Sequence, residues 1–273
     1  MNKSSSLLDV LRNILMIIYA VFALFPLFWM LLISLKQENQ MFNSWFIFTP
    51  TLQNYIDLFK NGKYIWYFID NMIISFGAVG IAILVGVPAA YALARFDFKG
   101  REDIAFTFLS FRFAPEILVI LPLFLIYQKI GLYDTFAGLI WVYQLISVPL
   151  IIWILRGYFE EISPELEYAA QLDGYKWWQV FIKFLLPLIK PGLVAASLLA
   201  FIYTWNDFTF PLLLAGEKVV TVTVTSLSYI SSDTIRYGQM AAAATIAALP
   251  EVIFALFIQK HLVRGLSLGA IKG

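Results

Sequence analysis

Long uninterrupted apolar runs restrict this chain more than any other feature. Apolar residues fill 61% of its 273 positions and charged residues only 14%, where soluble domains carry roughly 25% charged residues. Crossing the hydrocarbon of a bilayer takes about 20 apolar helical residues. Six stretches reach that length: about Leu11–Leu35, Tyr67–Ala94, Ile104–Tyr127, Phe136–Leu155, Phe184–Leu214 and Gln239–Val263. They are continuous runs, without the polar–apolar alternation of barrel strands. The expected fold is an all-α integral membrane protein of about six transmembrane helices. Residues 1–10 form an N-terminal segment, 11–263 the membrane domain and 264–273 a tail. Lys3 and Arg12 precede the first run as in a signal peptide. That run is too long and lacks a small-residue cleavage site, so it is read as an uncleaved span.

Basic residues set the expected orientation. Lys3, Arg12, Arg95, Lys99, Arg101, Arg156, Lys176, Lys183, Lys190, Lys260, Arg264 and Lys272 fall on one side of the spans. Lys36, Lys60, Lys63, Lys129, Lys218 and Arg236 fall on the other. The richer side is expected to be cytoplasmic, with both termini on it, in a multi-pass protein of the cell membrane. The net charge of +1 gives no reason to expect nucleic acid as a partner. The chain has no cysteine and one histidine, His261, so thiol chemistry and Cys/His metal sites are not expected. There is no Gly-Lys-Ser/Thr phosphate loop and no hydrolase signature. The chain is not expected to be an enzyme or to bind a cofactor itself.

One polar, helix-prone island, Ser163–Gly192, interrupts the apolar pattern; most of it lies in a cytoplasmic loop expected at 156–183. Ser163 is a good N-cap and Pro164 suits the first helical position. Glu165 and Glu167 sit in the first turn, where the helix dipole favours carboxylates. Gly174 can adopt the left-handed conformation that stops a helix. The spacing predicts a short helix from Pro164 to about Asp173. On it Leu166, Ala169 and Ala170 share one shallow apolar face. A second short helix, Lys176–Lys183, is expected to lead into the fifth span, with Trp177 and Trp178 at headgroup level. Two readings fit such a face: a helix lying on lipid, or one docking into a groove of another protein.

The wider pattern resembles the permease subunits of ATP-binding-cassette importers. Their signature loop runs Glu-Ala-Ala, three residues, Gly, nine residues, Ile, one residue, Leu-Pro. This chain has Tyr168-Ala169-Ala170, Gly174, Phe184 and Leu186-Pro187 at that spacing, with Tyr168 in place of Glu and Phe184 in place of Ile. The segment Ala89–Phe96 with Phe98, Gly100 and Arg101 is similar to the carbohydrate-importing, maltose-type branch. So are Asn54-Tyr55, Leu58-Phe59, Trp205–Phe208 with Pro211-Leu212, and the stretch Gly265–Gly273. The whole looks like the smaller permease of such a pair. The resemblance implies alternating-access import of an oligosaccharide delivered by an extracytoplasmic solute-binding protein. It also implies a second homologous permease and two ATPase subunits, which would bind the ATP and magnesium. Glu165, Leu166, Glu167, Tyr168, Ala169, Ala170, Asp173 and Gly174 would then couple to an ATPase, with Gly269, Lys272 and Gly273 beside it. Thr221, Thr223, Thr225, Ser231 and Ser232 in the loop 215–238 would face the binding protein.

Charges within or near the spans are further candidates, since each costs roughly 2.5–3.5 kcal/mol at mid-membrane. Arg112 and Glu116 stand four apart across Pro115 and can pair, as a structural brace or facing the translocation path. Asn206 and Asp207 read either as part of a gate or as groups satisfying backbone freed by Pro211. Glu251 follows Pro250, where a disturbed helix lets a carboxylate find a partner. A self-contained secondary carrier would need an ion site and usually inverted repeats; neither stands out. An amino-acid or phosphate permease fits the Trp205–Asp207 segment and the Gly265–Gly273 stretch less well.

Overall fold

The computed structural model describes residues 3–42, 45–60, 62–111, 113, 115–230 and 235–269, with side chains within 8–256. Its helices are α1 (Lys3–Ser34), α2 (Gln53–Lys60), α3 (Lys63–Arg95), α4 (Arg101–Phe111) and α5 (Glu116–Ile130). There follow α6 (Phe136–Val142), α7 (Gln144–Glu161), α8 (Pro164–Leu172), α9 (Trp177–Val180) and α10 (Leu186–Leu188). The last four are α11 (Lys190–Asn206), α12 (Thr209–Leu214), α13 (Val222–Thr225) and α14 (Tyr237–Gly269). An isolated bridge between Ile230 and Ile235 is the one β pairing among the described residues.

The first, second and sixth predicted spans are single helices long and apolar enough to cross a membrane. The third, fourth and fifth are bent pairs instead. Phe136–Val142 meets Gln144–Glu161 at 42°, and Trp177–Leu188 meets Lys190–Asn206 at 74°. The latter pair breaks at Ile189, just before Lys190-Pro191-Gly192. Proline lacks the N–H that would extend the ladder through that point. The fifth span also ends early, because Asp207 is extended and α12 begins afresh. The expected helix Lys176–Lys183 is shorter: α9 gives way to a π-turn at Phe181–Leu185.

Contacts divide the chain into two compact units. The first joins Met1–Ile65 to Thr225–Leu249. In it none of the residues in the most apolar stretch of α1 is buried, so its apolar side chains suit hydrocarbon. The carbonyls at its end are closed by Asn54, whose Nδ2 donates to the oxygens of Ser34 and Lys36, each at 2.8 Å. Ser34 Oγ and Tyr55 OH are 2.7 Å apart. The Lys36 ammonium stands 5.1 Å from the Trp29 ring centre and 5.3 Å from that of Phe48, within cation–π range. Gly238 is required here, since a Cβ at this position would lie 2.6 Å from the Asn54 amide.

The second unit joins Trp66–Val224 to Pro250–Gly273. The helix α3 threads two apolar cores. Ala82, Val87, Ala90 and Tyr91 pack with Leu155, Phe159, Val180 and Leu185. Ile74 and Ala78 pack with Ile120, Leu139, Tyr143 and Phe210. Beyond the second core, Asp134 stitches two loops together. It takes the left-handed conformation (φ 56°). Its carboxylate accepts from the backbone N–H groups of Gly216 (2.8 Å), Val219 (3.0 Å) and Lys218 (3.1 Å). Burial pushes the Asp134 carboxyl up, but these donors and that of Glu217 outweigh it and hold it below its usual value.

Two stability predictions follow from these caps. Asn54→Ala strands the carbonyls of Ser34 and Lys36 and should cost about 1–3 kcal/mol, read as a lower Tm of the detergent-purified protein. For Asp134, a lowered folded pKa means that its stabilisation is present above the unfolded value near 3.9 and is lost as pH falls through the folded value. Asp134→Asn should therefore lower Tm at neutral pH. Its deficit relative to wild type should shrink as pH drops below about 4.

Candidate functional site

The island folds as expected at both ends. Ser163 is extended and its Oγ accepts from Glu165 N–H at 3.4 Å. At the other end Gly174 has φ +90°. Tyr175 N–H reaches the Ala170 carbonyl (3.1 Å) and Gly174 N–H that of Gln171 (3.0 Å). These two bonds close the terminus in the Schellman arrangement. Nine residues of helix are too few to be stable alone, so α8 depends on what its inner face touches.

That inner face is Glu167 and Ala170, both buried. Ala170 belongs to the core built around Tyr91, Phe159 and Val180. Glu167 is gripped by α3. Tyr91 OH donates to Glu167 Oε2 at 2.8 Å, and Arg95 Nε donates to Glu167 Oε1 in a close ion pair. Arg95 Nη2 also donates to the Ile162 carbonyl at 2.6 Å, where α7 ends and the turn into α8 begins. Tyr91 and Arg95 stand one turn apart on α3, so one face of that helix meets both carboxylate oxygens. The Tyr91 ring packs against Phe96, Phe159 and Phe181.

The expected Leu166–Ala169–Ala170 face is therefore corrected. Ala170 points into the core, and the outward face carries Glu165, Tyr168, Ala169 and Leu172. Tyr168 is 64% and Leu172 88% exposed, while Leu166 lies at the flank with 38%. The helix phase explains this: Glu167 and Ala170 are three apart and point together, opposite Tyr168 and Leu172. Asp173 caps the end of α8 and, with Gly174, is exposed. Gly269 is the last residue of α14. Lys272 and Gly273 lie outside the described residues.

Among the in-span candidates, Arg112 lies outside the described residues. Glu116 opens α5 and lines a cavity of about 280 Å³ with Phe111, Val119, Leu145, Ile146, Tyr203 and Phe210. Asp207 receives Tyr143 OH at 3.0 Å and the N–H groups of Thr209 (3.3 Å) and Phe210 (3.1 Å), so it caps the start of α12. Asn206 Nδ2 donates to the Ile202 carbonyl at 3.0 Å and to Glu251 Oε1. The outer-loop threonines differ from expectation. Thr221 and Thr225 are buried. Thr221 Oγ1 and Thr223 Oγ1 are 2.9 Å apart, and Thr223 Oγ1 donates to the Asp207 carbonyl at 2.8 Å. Thr223 thus ties the loop to the break after α11; Leu227 and Ile230 are exposed apolar positions later in the loop. Ser231 and Ser232 lie outside the described residues.

Tyr91, Arg95, Asn71 and Tyr143 were not among the sequence candidates. The available signal was a basic residue ending a span, Arg95, with a tyrosine one turn earlier and an unpaired acidic residue in the next polar island. Nothing in the sequence singles out Asn71 or Tyr143.

Residues 82–268 match the protein family described as the binding-protein-dependent transport system inner membrane component. The trehalose transport system permease protein SugB of Mycobacterium tuberculosis is 36% identical over 256 residues, covering 92% of this chain and 93% of that one. The trehalose/maltose transport system permease protein MalG of Thermococcus litoralis is 32% identical over 275 residues, covering 97% and 99%. Among solved structures, a chain of a bacterial ABC transporter involved in import of the acidic polysaccharide alginate superposes with a TM-score of 0.77 at 22% identity, over 95% of this chain and 98% of that one. The chain belongs to the binding-protein-dependent transport system inner membrane component family and is a permease subunit of an ABC importer.

Proposed function

We propose that this permease carries an oligosaccharide, and that α8 is the helix by which it docks on an ATPase subunit. One observation carries the docking reading. A nine-residue helix is clamped from behind by Tyr91 and Arg95, and its opposite face presents Tyr168, Ala169 and Leu172 outward. A short helix so held, with an apolar outer face, suits a groove on a partner protein. The aromatic Tyr168 stands where the family signature has Glu, so docking here rests on apolar burial more than on a carboxylate.

In this reading α8 and both termini face the cytoplasm, in keeping with the basic residues on that side. A second homologous permease completes the pathway, two ATPase subunits hold ATP and magnesium, and an extracytoplasmic binding protein delivers the cargo. Closure of the ATPases moves α8, and packed helices carry the motion to the gates by rigid-body rocking. The cargo class follows the relatives named for trehalose, trehalose/maltose and diacetylchitobiose. Glu116, Asn206, Asp207 and Glu251 remain the candidates for lining or shaping the path. Leu227 and Ile230 replace the threonines as the surface offered to the binding protein.

The chain has no native cysteine, so single reporters are clean. Ala169→Cys and Leu172→Cys should cross-link to cysteines placed around the ATPase groove, and the buried Ala170→Cys should not. No link from either exposed position in an assembled, ATP-hydrolysing complex would overturn the docking reading. For the cargo, cells deleted for this chain should lose growth on oligosaccharides as sole carbon source. A loss confined to amino acids or phosphate would assign the permease to another branch.

A further inference from the structure

The clamp on Glu167 has a counterpart at the far end of the same helix. Asn71 of α3 is buried, and its Nδ2 donates to the Trp205 carbonyl at 3.1 Å. Trp205 lies in the last turn of α11, where carbonyls have no partner within the helix. Immediately beyond it α11 ends, Asp207 turns extended and α12 restarts. Around this bond the Phe68 and Trp205 rings meet edge-on at 5.3 Å, and the Phe76 and Phe201 rings pack tilted at 5.2 Å. One helix thus holds α8 at Tyr91 and Arg95 and holds the end of α11 at Asn71.

We infer that α3 is the transmission rod between α8 and the α11–α12 break, and that Arg95 and Asn71 are its two positioning residues. The inference rests on the proposed docking of α8. Asn71 and Arg95 are about 36 Å apart at the rise of an α-helix. The helix runs unbroken between them, although Pro88 removes one ladder bond. A push on Tyr168 or Leu172 reaches α3 through one carboxylate whose two oxygens are held by different donors, which leaves little freedom of rotation. The bond from Arg95 to Ile162 ties the end of α7 into the same knot. At the other end, a shift of α3 must either carry the Trp205 carbonyl with it or break the buried bond that Asn71 makes to it, which is unfavourable. The break at Asp207 is where the fifth span can yield without severing an α-helical ladder.

The test uses the assembled complex and needs no knowledge of the cargo. A single cysteine at Phe208, which is 37% exposed beside the break, is modified with a maleimide, with and without ATP and vanadate. In the parent complex nucleotide should change the modification rate by about fivefold or more, an ordinary size for coupling between sites. Arg95→Ala should abolish that response while the Ala169→Cys cross-link to the ATPase persists. Asn71→Ala should abolish it as well, from the opposite end. Tyr91→Phe keeps the buried ring and removes one hydrogen bond. It should reduce the response by roughly two- to threefold, and it reports on the rod even where Arg95→Ala does not assemble. A response that survives Arg95→Ala or Asn71→Ala, or is unchanged in Tyr91→Phe, overturns the rod. Absence of the Ala169→Cys cross-link in the parent complex overturns the docking reading itself, and with it the rod.

Discussion

A backbone N–H or C=O left without a partner in hydrocarbon costs several kcal/mol, because no water is there to replace the lost bond. Every interruption of a span must therefore be repaired on the spot, and in this protein side chains do much of the repair. Asn54 closes the end of α1, Asn71 the end of α11, Asp207 the start of α12 and Tyr127 the Gly138 carbonyl. At the end of a span, Arg95 donates to the Ile162 carbonyl where α7 ends. Three of the six predicted spans are bent pairs, while Asn54, Arg95 and Asn71 close the ends of α1, α7 and α11. Asn54, Asn71 and Arg95 also fix which helices stay together, since each ties the end of one element to another.

The Arg95–Glu167 pair shows what such ties contribute. Both side chains are largely buried. Drawing two charges out of water offsets much of their attraction, so the pair adds little net stability over a well-packed apolar replacement. What it supplies is a fixed geometry. An apolar contact would let α8 slide or roll on α3, whereas a carboxylate held by Tyr91 on one oxygen and Arg95 on the other has one preferred setting. Removing one partner would be far worse than replacing both, since a buried charge would stand alone.

The fold was legible because its strongest signal is composition. Apolar runs of bilayer length announce spans whatever their partners do, and the Ser163 cap and Gly174 stop fixed the bounds of α8 from local chemistry alone. Bends were harder to place. Pro191 marked the one at Ile189, but Pro88 sits inside a helix that continues through it. Burial was the weak point. Spacing shows that Leu166, Ala169 and Ala170 are near one another, but not which side of the helix faces the core. Ala is equally at home on either side, and the rotation is set by the grip of Tyr91 and Arg95 on Glu167 and by the packing of Ala170 into the core. The threonines of the loop after α12 misled for a related reason. Hydroxyls in an outer loop look like contacts for a partner, yet here Thr221 and Thr225 are buried and Thr223 bonds the Asp207 carbonyl at the break after α11.

Capping by side chains also bears on motion. A helix bundle that rocks in a membrane must not bare unpaired backbone to lipid at any point of its cycle. When each break is closed by a residue of the element that moves with it, the group can shift as a body and keep its bonds. Within the second unit this holds for α3, α7 and α8 around Glu167 and for α3 and α11 around Asn71. The links with little backbone to protect include the side-chain contact of Asn206 with Glu251 and the walls of the cavity beside Glu116. Ties that close backbone groups hold helices together, whereas such side-chain contacts can exchange partners without baring backbone to hydrocarbon.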